Sequence, residues 1–438
     1  MLTDTQQKPQ NCCFVCKIQD VELLRCSQCK SFYYCSIECQ KQDWKQHKSI
    51  CSEIQLQLQR EQQKAQRKAQ GKKDIEDFAE FSVVGQGNFS EIFRVRDIET
   101  NQIFALKQIN KRRLTQVNKE KDVFMEKHCL GKLADCPYVI KLYSTFQDAE
   151  NLYMQMEYVE GGELWQIVKN FGAQAFPLCL YYITELIKAI NSIHKLGIVH
   201  RDIKSENVLL TQDNQIKLID FGTARDMNDP TIEGSGNGRK EKQIMKHFVG
   251  TPQFMAPECI RNKDSNEKSD IYSLGVLFYY IAFGKYPFDG KSDYLIFKQA
   301  TEGELKFPDG WIDNEQFRSL IRKMMQKDPL DRPSLPEIMQ DQLWGENFDW
   351  NAPQDYQTIF KGLNEIDKFT YDLGQELNIA LKLEDCVSLK QEADRVFEKY
   401  GKLIKDENYQ RRVDYMKQIV EQDLKDMKED TQKPLYFI

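Results

Sequence analysis

Long apolar runs are missing from these 438 residues: no stretch is long enough to span a bilayer, and the N-terminus lacks the order of a secretory leader. The protein is therefore expected inside the cell, in the cytoplasm, the nucleus or both. Excess positive charge is missing too. Lys and Arg total 61 against 67 Asp and Glu, a formal net charge of -6, which argues against binding nucleic acid or anionic membrane through bulk charge. Cysteine is scarce beyond residue 51, where five of the 13 stand singly, so no disulfide framework runs through the chain. What is present is length for several modules and enough apolar residues for a sizeable core.

The other cysteines crowd the N-terminal end, and in a reducing compartment such crowding reads as metal binding. Their register is Cys13-x2-Cys16, nine residues, Cys26-x2-Cys29, five residues, Cys35-x3-Cys39, seven residues, His47-x3-Cys51. Each close pair can grip one tetrahedral zinc from a turn, and eight ligands make two closed sites of structural type. With Phe32, Tyr33 and Tyr34 ahead of Cys35, the segment 12–52 resembles the MYND zinc finger. The resemblance implies interleaved pairing, with Cys13, Cys16, Cys35 and Cys39 on one Zn2+ and Cys26, Cys29, His47 and Cys51 on the other. It also implies binding of short proline-containing peptides. Cys12 is left over. So small a module has little core of its own, so zinc would supply much of its folding free energy.

Residues 1–11 are polar and expected to be disordered. From Ser52 to Asp77 proline is absent and Gly71 is the only glycine, while strong helix formers dominate, which predicts a solvated helical linker over 53–77. A basic stripe for nucleic acid is the sharper alternative, but glutamates interrupt it.

The chemistry concentrates in Ile198-Val-His-Arg-Asp-Ile-Lys-Ser-Glu-Asn207 and Asp220-Phe-Gly222. Asp202 can accept the proton of a substrate hydroxyl, Lys204 can balance charge on a moving phosphoryl group, and Asn207 with Asp220 can hold Mg2+ against ATP phosphates. The set resembles the catalytic core of a protein kinase, and the resemblance runs over 78–344. Val84-Gly85-Gln-Gly87-Asn-Phe-Ser90-Glu-Ile92 resembles the glycine-rich loop, whose glycines let backbone amides approach phosphates, with Ser90 where the usual third glycine stands. Phe104-Ala105-Leu-Lys107 resembles the strand whose lysine meets the alpha and beta phosphates.

That lysine needs a glutamate on the next helix, and Glu120 and Glu126 compete. Aligning backward from the strand pair that starts at Pro137 favours Glu126, at a spacing that resembles the AGC kinases. The resemblance further implies Met156 as gatekeeper, the backbone of Glu157 and Val159 at adenine, Glu163 at the ribose, and Glu206 and Leu209 lining the nucleotide site. It makes Asp270 the anchor of the catalytic loop and Arg332 the partner of Glu258. Lys204 and Gly250-Thr-Pro252 resemble Ser/Thr rather than Tyr kinases. Phe221-Gly-Thr-Ala-Arg225, Ser144-Thr-Phe-Gln-Asp148 and Tyr294-Leu-Ile-Phe297 resemble the phosphoinositide-dependent protein kinases, whose members phosphorylate other AGC kinases.

Two further expectations come from that resemblance. A small-lobe pocket for the phosphorylated hydrophobic tail of a substrate kinase would involve Lys111, Leu114, Thr115, Val123, Lys127, Thr145, Gln147 and Leu152. The usual activation-loop phosphosite is His247, leaving Arg201 and Arg225 without a phosphate; Asp122 is the expected substitute anion, with phosphorylated Thr231 or Ser235 as the alternative. Beyond residue 345 the chain is charged and helix-prone, with Leu363, Ile366, Phe369, Leu373 and Leu377 at helical spacing, which predicts an intramolecular packing face. Nothing there reads as the strand-rich phosphoinositide-binding domain that usually ends that family.

The expected architecture is multidomain: a Cys-rich zinc module, a two-lobed α+β kinase fold and a helical C-terminal region over 345–438. The expected function is a Ser/Thr kinase using ATP and Mg2+ on protein substrates. The alternative is an adaptor built on a catalytically idle kinase fold, and a MYND-bearing methyltransferase lacks support because the rest of the chain carries kinase motifs.

Overall fold

The computed structural model describes residues 12–19, 21–171, 174–229, 251–262, 265–308, 312, 314–381, 386–405 and 407–430. The N-terminal segment 1–11 and the activation-loop positions Thr231, Ser235, His247 and Gly250 lie outside the described residues. The chain divides into two units, Met1–Phe78 and Ala79–Ile438.

In the first unit, β1 (Leu24–Arg25) pairs antiparallel with β2 (Tyr33–Tyr34), and a single helix, α1, runs over Ile37–Ala69. The linker is thus not a separate element. Its Gln, Lys, Glu and Ala residues continue a helix begun inside the Cys-rich module, because nothing in that stretch breaks it before the turn at Gly71. Tyr34 is fully buried and its hydroxyl donates to Asp43 Oδ2 on α1 at 2.7 Å. The core here is Cys13, Cys26, Cys29, Tyr34 and Cys51, four thiols and one ring, too little apolar surface to hold the fold alone.

The second unit opens with a five-stranded sheet in the order β3-β4-β5-β7-β6. Its strands are β3 (Phe78–Gln86), β4 (Ser90–Asp97), β5 (Ile103–Asn110), β6 (Leu142–Gln147) and β7 (Asn151–Glu157). Helices α2 (Lys111–Gln116) and α3 (Glu120–Lys132) lie between β5 and β6. On β5, Leu106 and Ile109 are fully buried, while Lys107 sits in register with Ile92 of β4 and Met154 of β7 at the centre of the sheet.

The helical part follows. It holds α4 (Leu164–Phe171), α5 (Phe176–Lys195), the short strands β8 (Ile198–Val199), β9 (Val208–Leu210), β10 (Ile216–Leu218) and β11 (Arg225–Asp226), then α6 (Pro257–Asn262) and α7 (Glu267–Phe283). Helices α8 (Asp293–Glu302), α9 (Glu315–Met324) and α10 (Leu335–Met339) complete it. Helices α5 and α7 are buried on nearly every side, as their apolar composition demands. Asn266 and Ser269 form a capping box at the start of α7, and Gly284 ends it at φ 65.

The described part of 345–438 is helical: α11 (Tyr356–Lys361), α12 (Glu365–Leu381), α13 (Cys386–Gly401) and α14 (Glu407–Asp430). The stripe on α12 points into the protein. Phe369, Leu373 and Leu377 are buried among side chains of α13 and α14, and α12 also packs against α4. Each such side chain removed from water contributes about 2 kcal/mol, so these helices are continuous with the kinase-like core. Among the described residues no helix is long and apolar enough to cross a membrane.

Candidate active site and metal centres

The cleft begins at the turn between β3 and β4. Gly87 N–H donates to Ser90 C=O at 2.8 Å, and a Cβ on Gly87 would lie 3.0 Å from Ser90 Oγ, so a larger residue there would crowd the serine hydroxyl. Gly85 is looser, with Ile92 Cδ1 at 3.4 Å from a Cβ built there.

Lys107 donates to both carboxylate oxygens of Glu126 at 2.7 Å. Both side chains are nearly enclosed, and Glu120 lies in the first turn of the same helix, away from this pair. Burial would lower the lysine pKa, but the negative charges of Glu126 and Asp220 raise it, so the ammonium stays charged.

Across the cleft, the loop from β8 to β9 is tied down by Asp270. Its carboxylate accepts from His200 N at 2.9 Å, Arg201 N at 2.8 Å and His194 Nε2 at 2.8 Å. That tether holds Arg201 at φ 70, a left-handed conformation costing about 1–3 kcal/mol in a residue with a Cβ. Asp220 is also in the left-handed region, at φ 63. Below them Lys204 Nζ is 2.8 Å from Asp202 Oδ2, and Asn207 Nδ2 donates to Asp202 O at 2.8 Å and Oδ2 at 2.9 Å. With its amide nitrogen so engaged, Asn207 keeps its oxygen as the atom suited to a cation. Solvent reaches the Asp220 side chain, but the surrounding cleft still desolvates it enough to raise its pKa; the positive charges of Lys107 and Lys204 and the Gly222 N–H hold it below the usual carboxylate range, so it is ionised.

Another face of the cleft is assembled from β5, β7 and β9. Met156 is buried opposite Ala105, and Leu209 forms a bridge with Glu163. Glu157 N–H donates to Lys141 O at 2.8 Å, and its carboxylate pairs with Lys217 at 3.1 Å. Val159 and Glu206 are half-buried at the same side. The Glu163 carboxylate accepts from the Trp165 indole N–H, so it has a protein partner that the sequence did not reveal.

Glu258 and Arg332 meet in a bidentate, buried pair with both N–O distances 2.7 Å. Breaking such a pair by removing one partner costs about 3–5 kcal/mol. Asp122, expected as the anion for Arg201 and Arg225, is buried on α3 beside Gly222. Asp122 Oδ2 accepts from Lys119 Nζ at 2.5 Å, three residues earlier on the chain, while Arg201 Nε donates to Ser265 Oγ at 2.5 Å.

The residues expected to form the small-lobe pocket are divided between core and surface. Leu114 is closed into the core and Lys111 Nζ donates to Asp148 O at 2.5 Å, whereas Thr115, Lys127, Thr145 and Gln147 are exposed and Val123 and Leu152 half-buried.

Sequence reading also missed His200. Its ring is fully buried, Nδ1 accepting from Asp202 N at 3.3 Å and Nε2 donating to Ile219 O at 3.1 Å, with the Phe221 ring at 4.8 Å. One histidine thus joins the catalytic loop to the Asp220 segment. A polar residue set directly before Arg201 and Asp202 in an otherwise apolar lead-in was the available signal.

In the first unit the eight ligands fall into two sets, Cys13, Cys16, Cys35 and Cys39, and Cys26, Cys29, His47 and Cys51, with the ligand atoms of each set within 4.8 Å of one another. Cys16 and Cys35 sulfurs are 3.4 Å apart, Cys35 and Cys39 3.6 Å, and Cys26 and Cys51 3.8 Å. Sulfurs around a tetrahedral zinc at ~2.3 Å lie about 3.8 Å apart, so both sets fit that ion. His47 turns Nε2 to Cys26 at 3.4 Å and Cys29 at 3.5 Å, which makes Nε2 the ligand atom. Cys39, His47 and Cys51 all lie on α1, so one helix serves both sites. Cys12 belongs to neither set.

The family model for the protein kinase domain matches residues 78–344, well over half of the chain, and that for the MYND finger matches residues 13–51. The chain belongs to the protein kinase family and carries a MYND finger at its N-terminal end. It is 35% identical over 257 residues to 3-phosphoinositide-dependent protein kinase 1 of Arabidopsis thaliana, covering 59% of this chain and 52% of that protein. It is 33% identical over 267 residues to putative 3-phosphoinositide-dependent protein kinase 2 of Homo sapiens, covering 61% of this chain and 64% of that protein. Serine/threonine-protein kinase PKH2 of Saccharomyces cerevisiae is 36% identical over 261 residues, covering 60% of this chain and 24% of that protein. The chain therefore spans between about a quarter and two thirds of the length of these relatives.

Proposed function

We propose that the protein is a serine/threonine kinase that transfers the terminal phosphoryl group of ATP to hydroxyls of protein substrates. The observation that carries this reading is the bidentate Lys107–Glu126 pair facing an ionised Asp220 across the cleft. Bound Mg2+ and ATP supply the phosphoryl group and neutralise its charge. Asn207 and Asp220 would hold the metal, and Lys107, fixed by Glu126, would hold the phosphates beneath Gly85 and Gly87. Asp202 orients the substrate hydroxyl and takes its proton as the new oxygen–phosphorus bond forms and the bond to the ADP oxygen breaks. Lys204, already against Asp202, offsets negative charge on the transferring group. Met156, Ala105, Val159 and Leu209 support adenine binding, and Glu163 supports ribose binding once it leaves Trp165.

Substrates that are themselves AGC-type kinases fit the relatives named for phosphoinositide-dependent activity. A phosphorylated hydrophobic tail would meet exposed Lys127, Thr145 and Gln147, with Val123 and Leu152 offering the apolar wall. The MYND finger, with two bound zinc ions, is assigned to proline-containing peptides. The test is to incubate the full chain with Mg2+, ATP and a library of Ser, Thr and Tyr peptides. Transfer to Ser or Thr supports the proposal; a chain that transfers to none of the peptides overturns it.

A further inference from the structure

Asp226 is a buried carboxylate that phosphoryl transfer does not use, and it is 1% exposed. Its backbone lies in β11, paired to Ile198 of β8 immediately ahead of the catalytic loop. Its side chain reaches another element. His128 Nε2 lies 2.8 Å from Oδ2, and Lys132 Nζ lies 3.0 Å from Oδ1 and 2.8 Å from Oδ2. Asn228 N–H donates to Oδ1 at 2.9 Å and fixes the carboxylate in its plane. His128 and Lys132 are four residues apart on one face of α3, two and six residues after Glu126. The start of α3 has no side-chain cap hydrogen bond, so its placement draws on packing, on the Lys107–Glu126 pair and on this end.

We propose that Asp226 is a positioning residue that holds the last turns of α3 against the β8–β11 pair and so keeps Glu126 in reach of Lys107. The physical reason is the cost of the arrangement. The Asp226 side chain is covered although its partners His128 and Lys132 reach solvent, and two of its three donors come from α3, so shifting that helix would leave a covered charge short of partners. Packing alone would allow α3 to slide by a fraction of a turn; a charge held by two side chains one turn apart does not. Because phosphoryl transfer needs the lysine–glutamate pair in place, the clamp acts on activity through Glu126 without touching substrate.

The activity readout rests on the kinase reading; the structural readout does not. In the full chain, Asp226→Asn should speed amide hydrogen exchange within 120–132 and raise KM for ATP at least about tenfold. Lys132→Gln, at a side chain more than a quarter exposed, should move both in the same direction with little risk to folding. Combining the two should do no more than Asp226→Asn alone, since both remove one interaction. Exchange within 120–132 unchanged in both variants, or additive effects in the double variant, would overturn the clamp. So would a merely structural pattern, in which exchange rises equally across the helical lobe and KM for ATP stays constant. A wild-type chain without transfer whose Asp226→Asn variant still exchanges faster at 120–132 would defeat the kinase reading and leave the clamp standing.

Discussion

Lys107 and Glu126 meet with the ammonium 2.7 Å from each carboxylate oxygen, joining the centre of the sheet to α3. Neither residue is near the other in sequence, and the pair exists only while helix and sheet keep one relative position. Glu126→Gln keeps the shape and removes the charge. The variant should show a KM for ATP raised roughly tenfold to a hundredfold, because the lysine loses its positioning partner. Steady-state kinetics against ATP checks this, and an unchanged KM would mean that Lys107 is held by something else.

The two Cys-rich sites predict their own stoichiometry. Native mass spectrometry of the full chain should find two zinc ions, and a chelator should remove both together with the ordered structure of 13–51. One zinc per chain would mean that one of the two sets is not a site.

How much of this could be read from sequence depends on distance along the chain. Asp202, Lys204 and Asn207 lie within six residues and their chemistry is local, so their grouping was visible in the sequence. Glu126 needed an alignment argument to separate it from Glu120, because two glutamates on one helix differ only in which face meets the sheet. The partner of Asp122 was less legible for the opposite reason: Lys119, three residues away, also reaches its carboxylate. The Asp226, His128 and Lys132 cluster was invisible, since Asp226 lies more than ninety residues from the other two and the three belong to no motif. The two zinc sets were legible as ligands, but not that a single helix would carry three of the ligands and run on through the expected linker.

Leu373 is fully buried between α12 and its neighbours. Leu373→Ala should lower stability by about 2–5 kcal/mol. A thermal melt showing no change would mean that the C-terminal helices do not pack on the kinase-like core as described.

Asp270 sets an acid limit. Burial alone would raise its pKa, but the hydrogen bond from the His194 ring and the N–H groups of His200 and Arg201 hold it below the usual carboxylate value. A depressed folded-state pKa contributes stability that is full above the unfolded value, about 3.9, and is lost as pH falls through the lower folded value. Melting temperature should therefore hold on this account down to about pH 4 and fall below it, and Asp270→Asn should flatten that fall while costing about 1–3 kcal/mol at neutral pH. A melting temperature in the wild type that is the same at pH 3 and pH 7 would contradict the direction.

The central claim is that this cleft transfers phosphate through metal held by Asp220. The direct measurement compares phosphorylation of Ser and Thr peptides by the full chain and by Asp220→Ala, at saturating ATP and Mg2+. The account predicts measurable transfer by the wild type and loss of nearly all of it in the variant, with the fold intact by thermal melt. Transfer by Asp220→Ala at the wild-type rate would contradict it.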